Sequence, residues 1–227
     1  MAEQPSEGPL VIFDCNGVLV DSEPIAAAAL ADAFGRIGVT VTSETVLRRF
    51  QGRRPADVFA AVEAATATNL PADFPASVAA ETLRRMRADL RAVSHAAHAL
   101  TWIRGPKVVA SSSPPDRIRL SLDVTGLLHF FDQRLFSASQ VRHGKPAPDL
   151  FLLAAARCQI DPADCIVVED SAPGVAAAAA AGMTPIGFIG ASHTPGSLGT
   201  ALLAAGAHTV VADLRRLKST ITDLRGW

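Results

Sequence analysis

Four groups of residues lie at or beside the ends of apolar runs, and their types suit the transfer of a phosphoryl group. Asp14-Cys15-Asn16-Gly17 follows the run Leu10 to Phe13, and Ser111-Ser112-Ser113 follows Lys107 to Ala110. Glu169-Asp170-Ser171 follows Cys165 to Val168, and Gly144-Lys145-Pro146 precedes a helical stretch. A carboxylate such as Asp14 can attack phosphorus and become an acyl phosphate. An acidic pair collects a hard divalent cation, which prefers oxygen ligands. A lysine, a serine and backbone N–H groups can hold phosphate oxygens and stabilise the charge in flight. Without a cation and Lys145, the carboxylates would repel a phosphate dianion.

These groups need a scaffold that brings strand ends together. The apolar runs Leu10 to Phe13, Lys107 to Ala110, Cys165 to Val168, Ile186 to Ile189 and Thr209 to Ala212 are β-rich and unbroken, with Arg134 to Phe136 a weaker sixth. Continuous rather than alternating apolar character marks strands covered on both faces. Helical stretches at Pro115 to Leu122, Pro148 to Ala156 and Val175 to Ala181 separate them, with Gly182 as a stop. Strand, helix, strand at this spacing implies a parallel sheet with right-handed crossovers. In such a sheet ligands bind beyond the carboxyl ends of the strands.

Between the first two strands the pattern changes. Residues 21–97 show helical periodicity at Ile25 to Phe34, Ser43 to Phe50, Ala56 to Ala65 and Ser77 to Val93, the last with an apolar stripe of Leu83, Met86, Leu90 and Val93. A crossover needs only about a dozen residues. The expected fold is therefore α/β: a Rossmann-like parallel sheet core, residues 1–20 and 98–227, with helices on both faces and a small α-helical cap domain, residues 21–97, inserted after the first strand.

Composition narrows the function. The 227 residues are 49% hydrophobic and 19% charged, with 21 basic against 22 acidic side chains and a formal net charge of −1. That balance excludes a disordered chain and disfavours nucleic acid or an anionic membrane as partner. The run Leu10 to Val20 is too short to span a bilayer and contains Asp14. Glu3 and Glu7 without a basic region do not read as a secretory leader. Cys15, Cys158 and Cys165 are odd in number and widely spaced, which fits a reducing, cytoplasmic location.

The ordered set Asp14-x-Asn16-Gly17-Val18, Ser111, Lys145 and Glu169-Asp170 resembles the four motifs of the haloacid dehalogenase superfamily. Gly17 to Glu23, Gly144 to Asp149 and Glu169-Asp170-Ser171-x-x-Gly174 are similar to its sugar-phosphatase and phosphomutase-like branch. The resemblance spans residues 10–190, most of the chain. It implies Asp14 as nucleophile and Mg²⁺ held by Asp14, Glu169, Asp170 and the main-chain carbonyl of Asn16. It implies Ser111 and Lys145 on the phosphoryl group, with Ser112 and Glu23 among the substrate contacts. A cap loop in the resembling proteins points into the site, and Gln51-Gly52-Arg53-Arg54 matches it here, offering Gly52, Arg53 and Arg54 to the substrate. The partner implied is a small-molecule phosphate ester such as a sugar or sugar-alcohol phosphate, and the chain is expected to be a monomer or weak homo-oligomer.

One position departs from the phosphatase pattern. The branch has aspartate where this chain has Asn16, and that aspartate is expected to protonate the leaving oxygen and then activate water. An amide does not exchange protons usefully. The loss is worth roughly 10²–10⁴ in rate, or about 3–5 kcal/mol of barrier. Three readings stand side by side: a substitution introduced to stop turnover, a naturally slow enzyme or binder, and a changed reaction. The enzyme alternative is a phosphomutase, disfavoured because Ala26 stands near the position of the mutases' histidine. The non-enzyme alternative is a phosphate-ester binding protein.

Overall fold

The structure, a computed structural model, describes residues 8–50, 55–131 and 134–225. The chain divides into two compact units, one formed by Met1–Asp21 with Arg91–Trp227 and the other by Ser22–Leu90.

In the first unit, six strands among the described residues form one sheet: β1 (Leu10–Phe13), β2 (Lys107–Ser111), β3 (Leu135–Ser137), β4 (Cys165–Glu169), β5 (Thr184–Phe188) and β6 (Thr209–Val211). All pairings are parallel, in the order β3-β2-β1-β4-β5-β6. The chain lays strands outward on one side of β1, then crosses to the other side at β4. The carboxyl ends of β1 and β4 therefore flank the point where strand order reverses, which is where open α/β sheets bind ligands.

The four residues of β1 are all fully buried, so both faces of the sheet are covered. On one face Leu10 and Ile12 pack with Val108, Val167 and the inner sides of α7 (Asp149–Cys158) and α8 (Ala172–Ala180). Phe13 meets Phe131 edge-on at 6.2 Å between ring centroids, in the segment after α6 (Pro115–Val124). Gly182 has φ 75°, a left-handed conformation natural to glycine, as the chain turns from α8 into β5. Among the described residues, the remaining α-helices of this unit are α5 (Ala96–Trp102), α9 (Leu198–Ala204) and α10 (Leu217–Arg225). No helix among the described residues is long and apolar enough to cross a membrane.

The second unit is helical: α1 (Glu23–Arg36), α2 (Ser43–Phe50), α3 (Pro55–Thr66) and α4 (Phe74–Asp89). Leu30 and Phe34 of α1, Val46 of α2, Val58, Phe59 and Val62 of α3, and Phe74 and Val78 of α4 form its own core. Phe74 packs against both Phe34 and Phe59, at 5.1 and 5.5 Å between ring centroids.

Two sequence expectations need correction. The helix expected to reach Val93 stops at Asp89: Leu90 is extended, and the Val93 N–H donates to the Leu19 carbonyl at 2.9 Å. Residues 91–97 belong to the sheet unit, where the Asp21 N–H also donates to the Arg91 carbonyl. Strand β5 begins at Thr184 rather than Ile186, because Pro185 is tolerated in register opposite Val167.

Candidate active site

Three adjacent strands, β2, β1 and β4, end at the site. Asp14 follows β1 directly and is 6% exposed. Glu169 is the last residue of β4, with Asp170 next to it, and both are buried. One carboxylate oxygen from each of Asp14, Glu169 and Asp170 lies within 4.8 Å of the others.

Lys145 enters this cluster from the loop before α7. Its Nζ donates to Asp14 Oδ1 at 2.6 Å and to Glu169 Oε2 at 2.7 Å, with a long contact to the Ala110 carbonyl at 3.4 Å. The ammonium also lies 5.2 Å from the centre of the Phe151 ring in the first turn of α7. Its side chain is 6% exposed, so these charges meet away from bulk water.

Burial pushes the Asp14 carboxyl up to about 7, and the neighbouring Glu169 adds to this, while Lys145 and the Asn16 backbone N–H pull the other way. Burial also works against the charge on Lys145, but the Asp14 and Glu169 carboxylates outweigh it and hold the ammonium above its ordinary range. Fully ionised, three carboxylates and one ammonium carry a net charge of −2 in a buried site. Such a set of hard oxygen donors fits one divalent cation of the Mg²⁺ type.

Two glycines make this crowding possible. Gly17 has φ 79°, and a Cβ there would collide with the Asp170 carboxylate. A Cβ on Gly174 would collide with the Glu169 carboxylate. The Gly174 N–H instead donates to Ser171 Oγ at 3.1 Å, and Ser171 donates its hydroxyl to Glu169 Oε1 at 2.6 Å. Glu169 thus spends one oxygen on Lys145 and the other on Ser171 at the N-cap of α8.

Asn16 sits at the turn after β1, where the Gly17 N–H donates to the Val20 carbonyl at 2.8 Å. Its Nδ2 donates to Ser113 Oγ at 2.9 Å. The Ser113 N–H donates to Ser111 Oγ at 3.2 Å, and Ser137 Oγ donates to the Ser113 carbonyl at 2.7 Å. A chain of hydroxyls therefore runs from Asn16 across the ends of β2 and β3. Cys15, fully buried, has its thiol pushed up by burial first and by Asp14 second, and stays protonated.

A carboxylate nucleophile candidate, a buried ammonium, an acidic cluster and a hydroxyl chain at the reversal point of a parallel sheet are features of one protein family, and its model, haloacid dehalogenase-like hydrolase, matches residues 9–182. The chain belongs to this family. Within it, the chain is 32% identical over 184 residues to the 6-phosphogluconate phosphatase of Escherichia coli, covering 81% of this chain and 83% of that protein. It is 31% identical over 210 residues to the phosphorylated carbohydrates phosphatase of Thermotoga maritima, covering 88% and 93%. A solved haloacid dehalogenase-like protein of unknown function from Agrobacterium tumefaciens superposes with a TM-score of 0.87 at 34% identity, over 96% of this chain and 99% of that one.

Of the residues that the haloacid dehalogenase resemblance singled out, Asp14, Lys145, Glu169 and Asp170 come together, and Asn16 and Ser111 are tied to the same turn through Ser113. Ser112 is exposed on the loop after β2. Glu23 opens α1 in the helical unit and is half-buried. Gly52, Arg53 and Arg54 lie outside the described residues. Sequence reasoning missed Ser113 and Ser171 as named partners; their only signal was a spacing of two from Ser111 and from Glu169. The His193 side chain is 2% exposed, and its Nδ1 lies 3.3 Å from Asp21 Oδ1, joining the loop after β5 to the segment after β1.

Proposed function

We propose that the chain is a Mg²⁺-dependent phosphatase of a small phosphorylated metabolite, such as a sugar or sugar-alcohol phosphate. It works through a phosphoryl group carried on Asp14, with turnover held back by Asn16. The observation that carries this reading is the Lys145 ammonium held between Asp14 and Glu169 with Asp170 alongside. The similarity to phosphatases of phosphorylated carbohydrates supports the substrate class.

In this reading Asp14 attacks phosphorus in line with the leaving oxygen. Lys145 faces the transferring group while it keeps Asp14 and Glu169 in place. The Ser111 hydroxyl and the backbone N–H groups after β2 hold the phosphoryl oxygens. Asp14, Asp170 and the Asn16 main-chain carbonyl would hold the cation, with a Glu169 oxygen within the same cluster. When bound, the cation keeps Asp14 ionised and offsets phosphate charge. Glu169, through Lys145 and Ser171, orients the ammonium. Substrate selection is assigned to the helical unit, with Glu23, Gly52, Arg53 and Arg54 as its candidate residues.

The test is a phosphate-release screen of phosphorylated metabolites with Mg²⁺, run side by side on this chain and on Asn16→Asp. The reading expects slow release from a sugar or sugar-alcohol phosphate by this chain and a gain of about 10²–10⁴ in Asn16→Asp. Binding without release by either chain would replace it with the phosphate-ester binder.

A further inference from the structure

The groups around Asp14 determine which leaving oxygens the site can expel. Asn16 presents an amide, and its Nδ2 is already donating to Ser113 Oγ. The Lys145 Nζ donates to Asp14 at 2.6 Å and to Glu169 at 2.7 Å, so its N–H groups are engaged by two carboxylates. Glu169 accepts from Lys145 on one oxygen and from Ser171 on the other. Ser111 and Ser113 carry hydroxyls, which are no more acidic than the alcohol that protonating the alkoxide would form. Asn16, Lys145, Glu169, Ser111 and Ser113, the groups of the sheet unit just described, thus offer a departing alkoxide no side chain suited to give it a proton. The nucleophile, the ammonium and the cation-binding carboxylates are nevertheless all in place.

Resting on the phosphatase reading above, we propose that this chain selects its phosphate donors by leaving group. It takes the phosphoryl group from acyl, enol and aryl phosphates, whose oxygen departs as a stable anion, and leaves alkyl phosphates of polyols bound but nearly uncleaved. In the first step an Asp14 oxygen forms a bond to phosphorus as the bond to the leaving oxygen breaks. The electron pair stays on that oxygen, which departs as a carboxylate, enolate or phenolate and takes any proton from solvent. In the second step water attacks phosphorus, the bond to Asp14 breaks, the carboxylate is regenerated, and the proton of water passes to solvent. The leaving group's own anion stability replaces the acid that Asn16 does not supply.

An aspartate at position 16 fits the same turn, because the Ser113 hydroxyl can donate to a carboxylate as readily as it accepts from the amide. The experiment measures kcat/KM, which reports the first transfer, for acetyl phosphate, p-nitrophenyl phosphate and glycerol 1-phosphate with this chain and with Asn16→Asp. The acetyl-to-glycerol ratio should be about 10²–10⁴ larger for this chain than for the variant. Equal ratios within about threefold would overturn the proposal. A second measurement uses this chain alone, with aryl phosphates of graded leaving-group acidity. A steep fall in kcat/KM as the phenol becomes more basic supports selection by leaving group, and a flat line refutes it. Phosphate release from no donor, acetyl phosphate included, by either protein would instead remove the phosphatase reading itself.

Discussion

Replacing Lys145 by methionine keeps the length of the side chain and removes its charge. In the native site Nζ lies 2.6 Å from Asp14 and 2.7 Å from Glu169, with all three groups buried. At an effective dielectric of about 20, each contact is worth roughly 6 kcal/mol before desolvation. Most of that offsets the cost of burying the ions. What the variant loses is the compensation itself, since Asp14 and Glu169 are left facing each other without a cation. Breaking a buried pair in this way costs about 3–5 kcal/mol, which for a chain of this size lowers Tm by roughly 6–20 °C. The loss should depend on pH with a definite sign. Without Lys145 the Asp14 carboxyl, already raised by burial, loses the charge that pulls it down, so the penalty is full at alkaline pH and fades as pH falls through the raised value. The assay is thermal unfolding, free of divalent cations, of Lys145→Met, Glu169→Gln and the double variant. The double variant should recover at least about 1 kcal/mol relative to the sum of the singles. Additive losses within about 0.5 kcal/mol would show that the ammonium and Glu169 do not act as a pair.

Three further outcomes follow from the same geometry. Gly17→Ala puts a methyl group into the Asp170 carboxylate at a positive φ; it should cost about 1–3 kcal/mol and weaken Mg²⁺ binding at least tenfold by isothermal titration, and unchanged affinity would contradict the close approach. With divalent cations removed, Asp14 titrates near 7 in the fold, above its unfolded value; the folded state then binds the extra proton, so stability should fall as pH rises from about 4 to 7, and added Mg²⁺ should restore it most at the alkaline end. A stability that rises over that interval would reverse the assignment. The Gly17 N–H is committed to the Val20 carbonyl at 2.8 Å, so the Asn16-Gly17 step should resist deamidation in the folded protein and yield to it after unfolding; peptide mass spectrometry of native and denatured samples after equal incubation distinguishes the two, and equal conversion would contradict the turn.

Much of this architecture was legible because buried parallel strands carry a strong signal. Leu10 to Phe13 and Cys165 to Val168 are apolar without interruption, and the polar residues that end them are the ones the sheet presents at its rim. The helical stripe through Leu90 and Val93 misled for a physical reason. Both side chains are buried, as the pattern required, but an extended segment returning beside Leu19 buries them as well as another helical turn would. The division of labour between the acidic residues was also hidden. Glu169 and Asp170 are adjacent carboxylates in the sequence, and only geometry shows that Glu169 divides its oxygens between Lys145 and Ser171. Ser111, Ser112 and Ser113 are chemically identical in the sequence. Burial and direction distinguish the exposed Ser112 from Ser113, which meets Asn16.

The central claim is that Asp14 carries the phosphoryl group during turnover. The direct measurement is mass spectrometry of the peptide containing Asp14 after this chain is mixed with acetyl phosphate and Mg²⁺ and quenched in acid. With Asn16 slow to activate water, the peptide should gain the mass of one phosphoryl group, located on Asp14 and absent from Asp14→Asn. Phosphate release with no such adduct on that peptide, or an adduct that persists in Asp14→Asn, would contradict the account.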